Sequence, residues 1–353
     1  MGVVDEQLER AAAELDSRQS ELSEAITQRH YQQNPELESR YGRAGRLRCR
    51  EDAALHLAFL SQSVAMGTPA IFVDYICWAK VMLAARGIPG SDLTNDLDSM
   101  QRILEEKMPE DVWPDIGQHV RAALQALPTA ADDVPCQIRD DAPRSASARQ
   151  YLAALLEYDR PRAKKLILDE IARGATVKSL YEEVFTPVQI EIGRLWQTNK
   201  VSVAEEHYCT AATELILSQV YAPDPSVEKN GRRMVGMCTT RELHDLGARM
   251  VCDFFEMEGW DATYLGANVP VNSALRMIRA RQPEVVAISA AMPYHISSVG
   301  EMIRAIREEF NRVKIIVGGG AFKMPGLWRK VRADAYAKSA SDAVSKAKQL
   351  VAS

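Results

Sequence analysis

Residues 234–247 read MVGMCTTRELHDLG, and this stretch decides the fold of the last third of the chain. Its first six residues are a short, mostly apolar run, which is followed by a polar loop and an amphipathic segment beginning near residue 245. That order is typical of a buried strand that leads through a loop into a helix. The loop carries a Glu-x-His-x-x-Gly pattern made by Glu242, His244 and Gly247.

The same strand, loop and helix order repeats along residues 234–353. The strand candidates are 234–239, 262–265, 285–289, 315–317 and 333–337. The helix candidates are 245–258, 271–281, 297–310, 325–331 and 341–351. Five such repeats predict a flavodoxin-like, doubly wound parallel sheet, whose ligands sit beyond the carboxyl ends of the strands.

Upstream of this α/β domain the apolar residues recur every three and four positions, which predicts helices. Two stretches rich in Pro, Ala, Ser and Asp interrupt the pattern and are predicted linkers, 128–149 and 222–233. They delimit an all-helical domain at 1–127, for which a globin-like arrangement is one option, and a four-helix bundle at 150–221. The bundle is expected to cover the domain at 234–353.

Composition restricts the function. The chain is 46% hydrophobic with a formal net charge of -5, so a concentrated basic face for nucleic acid is not expected. The sequence has no run of about 18 apolar residues and opens on polar residues, which predicts a cytoplasmic protein without a membrane partner. Its six cysteines form no CxxC pair, so the spacing indicates neither a zinc site nor a disulfide framework.

Two further motifs fall on the loops that follow the third and fourth strands. Ser289 closes the third strand candidate, and Gly318 and Gly319 close the fourth. Neutral imidazole is a good ligand for transition metals, and its second ring nitrogen needs a carboxylate or carbonyl partner. Glu242 could be that partner of His244, directly or through water.

These motifs resemble those of the cobalamin-binding domain family: Asp/Glu-x-His-x-x-Gly, then Ser-x-Leu, then Gly-Gly. The resemblance implies that His244 is the lower axial ligand of the cobalt and that Glu242 orients it, with Gly247 completing the motif. It also implies a slot for the nucleotide tail, lined by Ser289, Gly318, Gly319 and Gly320. Ala291 stands where the family usually has Leu. His295 stands where methyl-transferring relatives often have a second serine.

Residues 195–208 read LWQTNKVSVAEEHY and resemble the cap of the CarH-like light receptors. The resemblance implies bound adenosylcobalamin, with Trp196 packed over its 5′-deoxyadenosyl group and Glu206 and His207 in contact with that group. It further implies that light breaks the cobalt–carbon bond and changes the oligomeric state of the protein. Gln197 stands where some CarH-like proteins have a histidine that captures the cobalt after photolysis.

Residues 56–93, HLAFLSQSVAMGTPAIFVDYICWAKVMLAARGIPGSDL, resemble the N-terminal module of photocobilins, which implies a biliverdin site in the first domain. A bilin needs an apolar slot with a few polar groups, for which His56, Tyr75 and Trp78 are candidates. It also needs cations for its two propionates. The candidates for these cations are Arg43, Arg46, Arg48 and Arg50.

Three classes of function remain open from the sequence. The favoured one is a light sensor that is not an enzyme, assembles with itself in a light-dependent way and passes its signal on, for instance to a separate effector. The second is a corrinoid carrier that serves separate methyltransferases. The third is a storage module or an isomerase subunit, although an isomerase needs a substrate barrel of about 250 residues.

Overall fold

The computed structural model describes residues 3–221 and 227–352. It divides into two compact units, 1–134 and 135–353. The boundary falls within the predicted linker 128–149. Within the described ranges, no helix is both long enough and apolar enough to cross a bilayer.

The first unit is helical throughout its described part. Its helices are α1 (Val3–Ser17), α2 (Gln19–Gln33), α3 (Glu36–Ala65), α4 (Ala70–Ala84), α5 (Gly90–Lys107) and α6 (Trp113–Ala126). A kink interrupts α3 at Gly42, whose φ of 59° is in the left-handed region that favours glycine. The core of the unit contains Leu22, Leu60, Phe72 and Ile116, all fully buried. The predicted helical character is confirmed, whereas the globin-like arrangement stays a prediction.

The second unit begins with a helical bundle. Its helices are α7 (Ser145–Leu156), α8 (Arg160–Ala172), α9 (Val177–Leu180), α10 (Thr186–Gln197) and α11 (Val203–Val220). A π-helical turn, Tyr181–Phe185, joins α9 directly to α10. At the start of α11, Ser202 and Glu205 form a capping box that satisfies backbone N–H groups left free at a helix end.

Helix α7 starts inside the predicted linker 128–149, so that the irregular segment is shorter than its composition indicates. The reason is tertiary packing: Ala148 is fully buried, and the Ser147 hydroxyl donates a 2.9 Å hydrogen bond to Glu170 on α8. Of the second predicted linker, 222–233, residues 222–226 lie outside the described ranges. The strand that follows begins at Arg233.

A five-stranded parallel sheet follows the bundle. Its strands are β1 (Arg233–Cys238), β2 (Asp261–Tyr264), β3 (Val285–Ser289), β4 (Lys314–Gly318) and β5 (Ala335–Ala337). The accompanying helices are α12 (Leu246–Met257), α13 (Val271–Arg281), α14 (Ile296–Glu309), α15 (Leu327–Lys330) and α16 (Ala340–Ala352). The spatial order β2-β1-β3-β4-β5 makes it a doubly wound, Rossmann-like sheet. The predicted parallel sheet is therefore confirmed, with strand ends within two residues of those expected.

Strand register brings the predicted motifs to one edge of the sheet. Cys238 pairs with Ser289, Ser289 with Gly318, and Gly318 with Ala337. The loops that leave β1, β3, β4 and β5 therefore start side by side. The bundle is joined to the sheet layer by a buried hydrogen bond of 2.8 Å, which the Tyr181 hydroxyl donates to Asp253 on α12.

Candidate functional site

A buried carboxylate organises the loop that follows β1. Glu242 has no solvent-exposed surface, and its Oε2 accepts backbone hydrogen bonds from Ala291 (2.7 Å) and Met292 (3.2 Å) in the loop after β3. Its Oε1 accepts from the backbone N–H of His244 at 2.9 Å and lies 2.6 Å from the Nδ1 of that residue. Burial alone would raise the pKa of Glu242, but these hydrogen bonds and the charge of His244 hold its pKa at about 2. The carboxylate is therefore ionised and fixed between two loops.

His244 combines a fixed ring with an accessible edge. Its side chain is 63% exposed although its partner Glu242 is fully buried. The hydrogen bond to Glu242 raises the pKa of His244 and outweighs the opposite effect of burial. Because Nδ1 is occupied by the carboxylate, Nε2 is the nitrogen available to coordinate a metal. An imidazole whose second nitrogen is held by a carboxylate is the usual arrangement of a ligating histidine.

A cavity of about 450 Å³ opens beside this loop at the carboxyl edge of the sheet. Its walls are formed by β1, β3, β4, the end of β5 with the loop that follows, α12 and α16. Three residues of the bundle also line it. The predicted residues that line the cavity are Gly247, Ser289, Gly318 and Gly319. Most of the lining is apolar and small, which suits a flat, largely apolar group.

Glycines shape this cavity in two different ways. A Cβ atom added at Gly247 would meet nothing within 4 Å, so its missing side chain leaves open space. At Gly319, φ is +91° and a Cβ atom would stand 2.2 Å from the carbonyl oxygen of Ala290. A Cβ atom at Gly320 would stand 2.8 Å from the carbonyl oxygen of Ala291. The structure thus explains Gly319 and Gly320 by the close approach of the loops after β3 and β4.

The sequence analysis missed several lining residues. From the loop after β5 come Lys338 and Ser339, and from the bundle come Tyr181, Glu182 and Thr186. A signal for the first pair was present, because in a parallel sheet every carboxyl-end loop adjoins the ligand edge. No motif marks the bundle residues. They reach the cavity only because the bundle packs on the sheet layer.

The residues predicted to lie above the cobalt are on α11 and at the end of α10. Val203, Glu206 and His207 share one face of α11 by helical spacing, and Val203 and His207 are exposed. The charge of Glu206 contributes to the raised pKa of His244. Glu206 Oε2 lies 2.5 Å from His207 Nδ1, and Thr210 donates to Glu206 Oε1 at 3.2 Å. Trp196 is half-buried in the last turn of α10.

Comparison with known proteins relates both parts of the second unit to one cofactor. Residues 232–345 match a protein family described as "B12 binding domain", and residues 147–221 match a second family with the same description. These matches support cobalamin binding by the second unit. Its two matched segments correspond to the sheet with its helices and to the bundle before it.

Curated relatives of the chain include both corrinoid proteins and a repressor. The trimethylamine corrinoid protein of Methanosarcina barkeri is 26% identical over 204 residues, which are 55% of this chain and 92% of that protein. The HTH-type transcriptional repressor CarH of Myxococcus xanthus is 24% identical over 216 residues, 59% of this chain and 71% of that protein. Among solved structures, the M. barkeri monomethylamine corrinoid protein covers 59% of this chain and 100% of its own, with a TM-score of 0.52 and 17% identity. That last likeness shows the fold alone.

The residues present fit a cobalamin. His244 offers a cobalt a neutral ring nitrogen held by Glu242, and the adjacent Leu243 is an exposed apolar side chain that a corrin ring could cover. The cavity of about 450 Å³ beside α12 has a mostly apolar lining and is the place where a nucleotide tail could lie. The roles of Glu242, His244, Gly247 and Ser289 toward that ligand remain predictions.

Three residues depart from the family pattern, and each has a local role. The backbone of Ala291 donates to Glu242, an interaction that does not depend on its side chain. His295 is buried, its ring lies 4.3 Å from that of Tyr294, and burial lowers its pKa. Gln197 is buried at the end of α10.

In the first unit, the four predicted bilin residues are distributed between core and surface. His56 Nδ1 lies 2.7 Å from the Tyr75 hydroxyl, both residues are buried, and burial lowers the pKa of His56 to about 4. Tyr75 also stacks on Phe59, with ring centroids 3.7 Å apart. Trp78 is half-buried, and the Arg46 side chain, 42% exposed, pairs with Glu38. The bilin assignment of these residues stays a prediction.

Proposed function

We propose that this chain is a light sensor that binds adenosylcobalamin and is not itself an enzyme. The observation on which the proposal rests is the position of Glu206 on α11, whose charge acts on the exposed imidazole of His244. A corrin ring held from below by His244 would have the face of α11 that carries Glu206, with Trp196 nearby, on its upper side.

The residues below and above the corrin ring would have different roles. Below, Glu242 holds His244 in the tautomer whose Nε2 carries the free lone pair. Above, the exposed side chains of Val203 and His207 would be covered by the upper ligand, and the Trp196 indole would limit the access of a transfer partner. When bound, adenosylcobalamin supplies a cobalt–carbon bond that light can break.

The signal would be a change of association. An upper group that contacts α11 stabilises only the conformation in which the bundle is closed over the ring, so that its loss shifts the population toward another conformation. A homo-oligomer whose contacts involve the bundle would then assemble differently in the light and in darkness. A separate effector could read the same change.

The test is to load the protein with adenosylcobalamin in darkness, illuminate it, and record the absorption spectrum and the molar mass by size-exclusion chromatography with light scattering. We expect a spectral change on illumination and a different mass afterwards. An unchanged mass after complete photolysis would refute the sensor function.

A second candidate function, a corrinoid carrier in methyl transfer, is favoured by the similarity to the trimethylamine corrinoid protein. A carrier must leave the upper face of the corrin open to a methyltransferase. The discriminating measurement is the rate at which a free thiol demethylates methylcobalamin bound to the protein. A carrier would show ready transfer and a constant mass in light and darkness, whereas the cap proposed here should slow the transfer.

We further propose that residues 1–127 bind biliverdin, with His56, Tyr75, Trp78 and Arg46 as contacts. Because His56 and Tyr75 are already engaged with each other, the pigment would have to open that pair. Adding biliverdin to the protein and desalting it should leave a red-absorbing complex. A colourless protein would remove the bilin proposal and leave the cobalamin site unaffected.

A further inference from the structure

Three side chains with metal-ligating atoms meet inside the first unit, away from the cobalamin site. They are His30 on α2, Cys49 on α3 and Asp96 on α5. One ligand atom from each lies within 4.8 Å of the other two, and Cys49 Sγ is 3.9 Å from Asp96 Oδ1. His30 and Asp96 are buried, and Cys49 is partly buried.

We infer that His30, Cys49 and Asp96 bind a divalent transition-metal ion, with Zn²⁺ as the ion that fits this set best. Imidazole, thiolate and carboxylate are the three ligand types that zinc uses in proteins. Bonds of about 2.0–2.3 Å to a tetrahedral ion place its ligand atoms about 3.3–3.8 Å apart. The three ligand atoms, which lie within 4.8 Å of one another, therefore need to approach by about 1 Å to bind the ion.

The charges of the cluster are compatible with a divalent cation. Among the ion pairs of the described residues, Asp96 has only His56 as a partner, whose Nε2 is 3.7 Å from Asp96 Oδ2. Without a cation, burial favours the protonated forms of Asp96 and Cys49, and the thiol donates to the carboxyl group. Binding of the ion would release these protons, and its charge would balance the carboxylate and the thiolate.

Asn34 lies beside the cluster. Its amide nitrogen is 3.4 Å from His30 Nδ1 and donates a 2.8 Å hydrogen bond to the His30 backbone carbonyl. These contacts restrict the position of the His30 ring. A water molecule would complete a four-coordinate site.

This inference is independent of the proposed function, because none of its three ligands belongs to the cobalamin site or to the predicted bilin contacts. The positions of the three ligands also explain why the sequence contains no zinc motif. The ligands are far apart in the chain and come from three helices, whereas the known spacing patterns place pairs of ligands a few residues apart.

The experiment uses the full chain, free of cobalamin and treated with a chelator, then dialysed against Zn²⁺ and desalted. We expect about one zinc per chain by elemental analysis, and we expect Cys49→Ser and Asp96→Asn to reduce this at least tenfold. The matched control is Cys77→Ser, a half-buried cysteine of the same unit outside the cluster, which should retain the metal. The His244→Ala variant should also retain it, which separates this site from the imidazole in the second unit.

A second measurement uses the unaltered protein and therefore does not depend on whether a variant folds. X-ray absorption at the zinc edge of the unaltered protein should show one sulfur ligand at about 2.3 Å together with nitrogen and oxygen ligands. Zinc should also protect Cys49 from alkylation by iodoacetamide. Absence of retained zinc, absence of a sulfur ligand, or equal zinc content in Cys49→Ser would each overturn the inference.

Discussion

The second unit contains two Glu–His pairs that consist of the same residue types but differ in burial and in backbone hydrogen bonding. In the loop after β1, Glu242 is fully buried and receives three backbone hydrogen bonds, while His244 is 63% exposed. On α11, the Glu206 side chain is 29% exposed and that of its neighbour His207 is 74% exposed. The first pair is fixed by two loops of the sheet, whereas the second depends on a helix face and on side-chain contacts.

Under the proposed function, this difference would allow a division of roles. A ligand that must stay on the cobalt in every state of the protein needs the fixed pair, since its geometry is set before cobalamin binds. A contact that changes when the upper group is lost needs side chains that can move, such as those of Glu206 and His207. The variants below separate the two roles, beginning with the one expected to have the largest effect.

Replacing His244 should have the largest effect on binding. We expect His244→Ala to lose nitrogen coordination from the protein and to weaken cobalamin binding by more than about 100-fold, because losing only the partner of a ligating histidine costs roughly 10- to 100-fold. Titration monitored by absorbance measures both changes. His207→Ala is the matched control, and dark binding similar to that of the unaltered protein is expected for it. Equal losses in the two variants would contradict the division of roles.

Replacing Glu242 should have the next largest effect. In the wild-type protein, one oxygen of Glu242 accepts from His244 and the other accepts from the loop after β3. The amide of Glu242→Gln has only one oxygen, so it cannot accept hydrogen bonds from both. We expect roughly 10- to 100-fold weaker binding. The pKa of His244 should also fall toward its ordinary value, which NMR of the imidazole protons measures in the protein without cobalamin. A His244 pKa that stays raised in Glu242→Gln would show that another group sets it.

The fixed pair also predicts a pH dependence. Glu242 has a folded-state pKa of about 2, below its unfolded value, so its contribution to stability is present above about pH 4.5 and is lost as the pH falls toward 2. His244 has a raised pKa, so its contribution is complete below about pH 6.5 and is lost as the pH rises through the folded-state value.

Cobalamin binding should have the opposite dependence on His244, since an imidazolium has no lone pair on Nε2. We therefore expect affinity to fall by up to about tenfold per pH unit below the pKa of His244. Binding isotherms over this range, with His244→Ala as the reference, test the expectation. The same slope in both proteins would assign the titration to another group.

Trp196→Ala should have the smallest effect on dark affinity and a selective effect on signalling. The indole is not part of the fixed pair, so we expect dark binding to change by about threefold or less. The light-dependent change in molar mass should be lost, because the cap no longer depends on the upper group. Light scattering before and after illumination measures it. A full mass change in this variant would exclude Trp196 from the switch.

The sequence predicted the strands of the sheet well but predicted only some of the residues that line the cavity. Strand ends could be placed because short apolar runs alternate with amphipathic helices, and parallel topology then placed Glu242, Ser289 and Gly318 at one edge. The start of α7 was missed, because the burial of Ala148 overrides a composition typical of a linker. Local sequence does not contain that kind of information.

Other parts of the site depend on packing between distant segments. Tyr181 and Thr186 line the cavity only because the bundle is joined to α12 through Asp253. The glycines after β4 were expected to make room for a ligand, yet Gly320 is explained by the nearby carbonyl of Ala291. The cluster of His30, Cys49 and Asp96 likewise exists only once three helices have packed.

The most direct test of the central claim identifies the atom below the cobalt. The protein is labelled with ¹⁵N-histidine, loaded with cobalamin, reduced to the cobalt(II) form and measured by electron paramagnetic resonance. A bound ¹⁴N nucleus splits each cobalt line into three and ¹⁵N splits it into two. We predict three in the unlabelled protein, two in the labelled protein, and no effect of the label in His244→Ala. An unchanged three-line pattern in the labelled protein would show that the cofactor's own base is the ligand and would contradict the account.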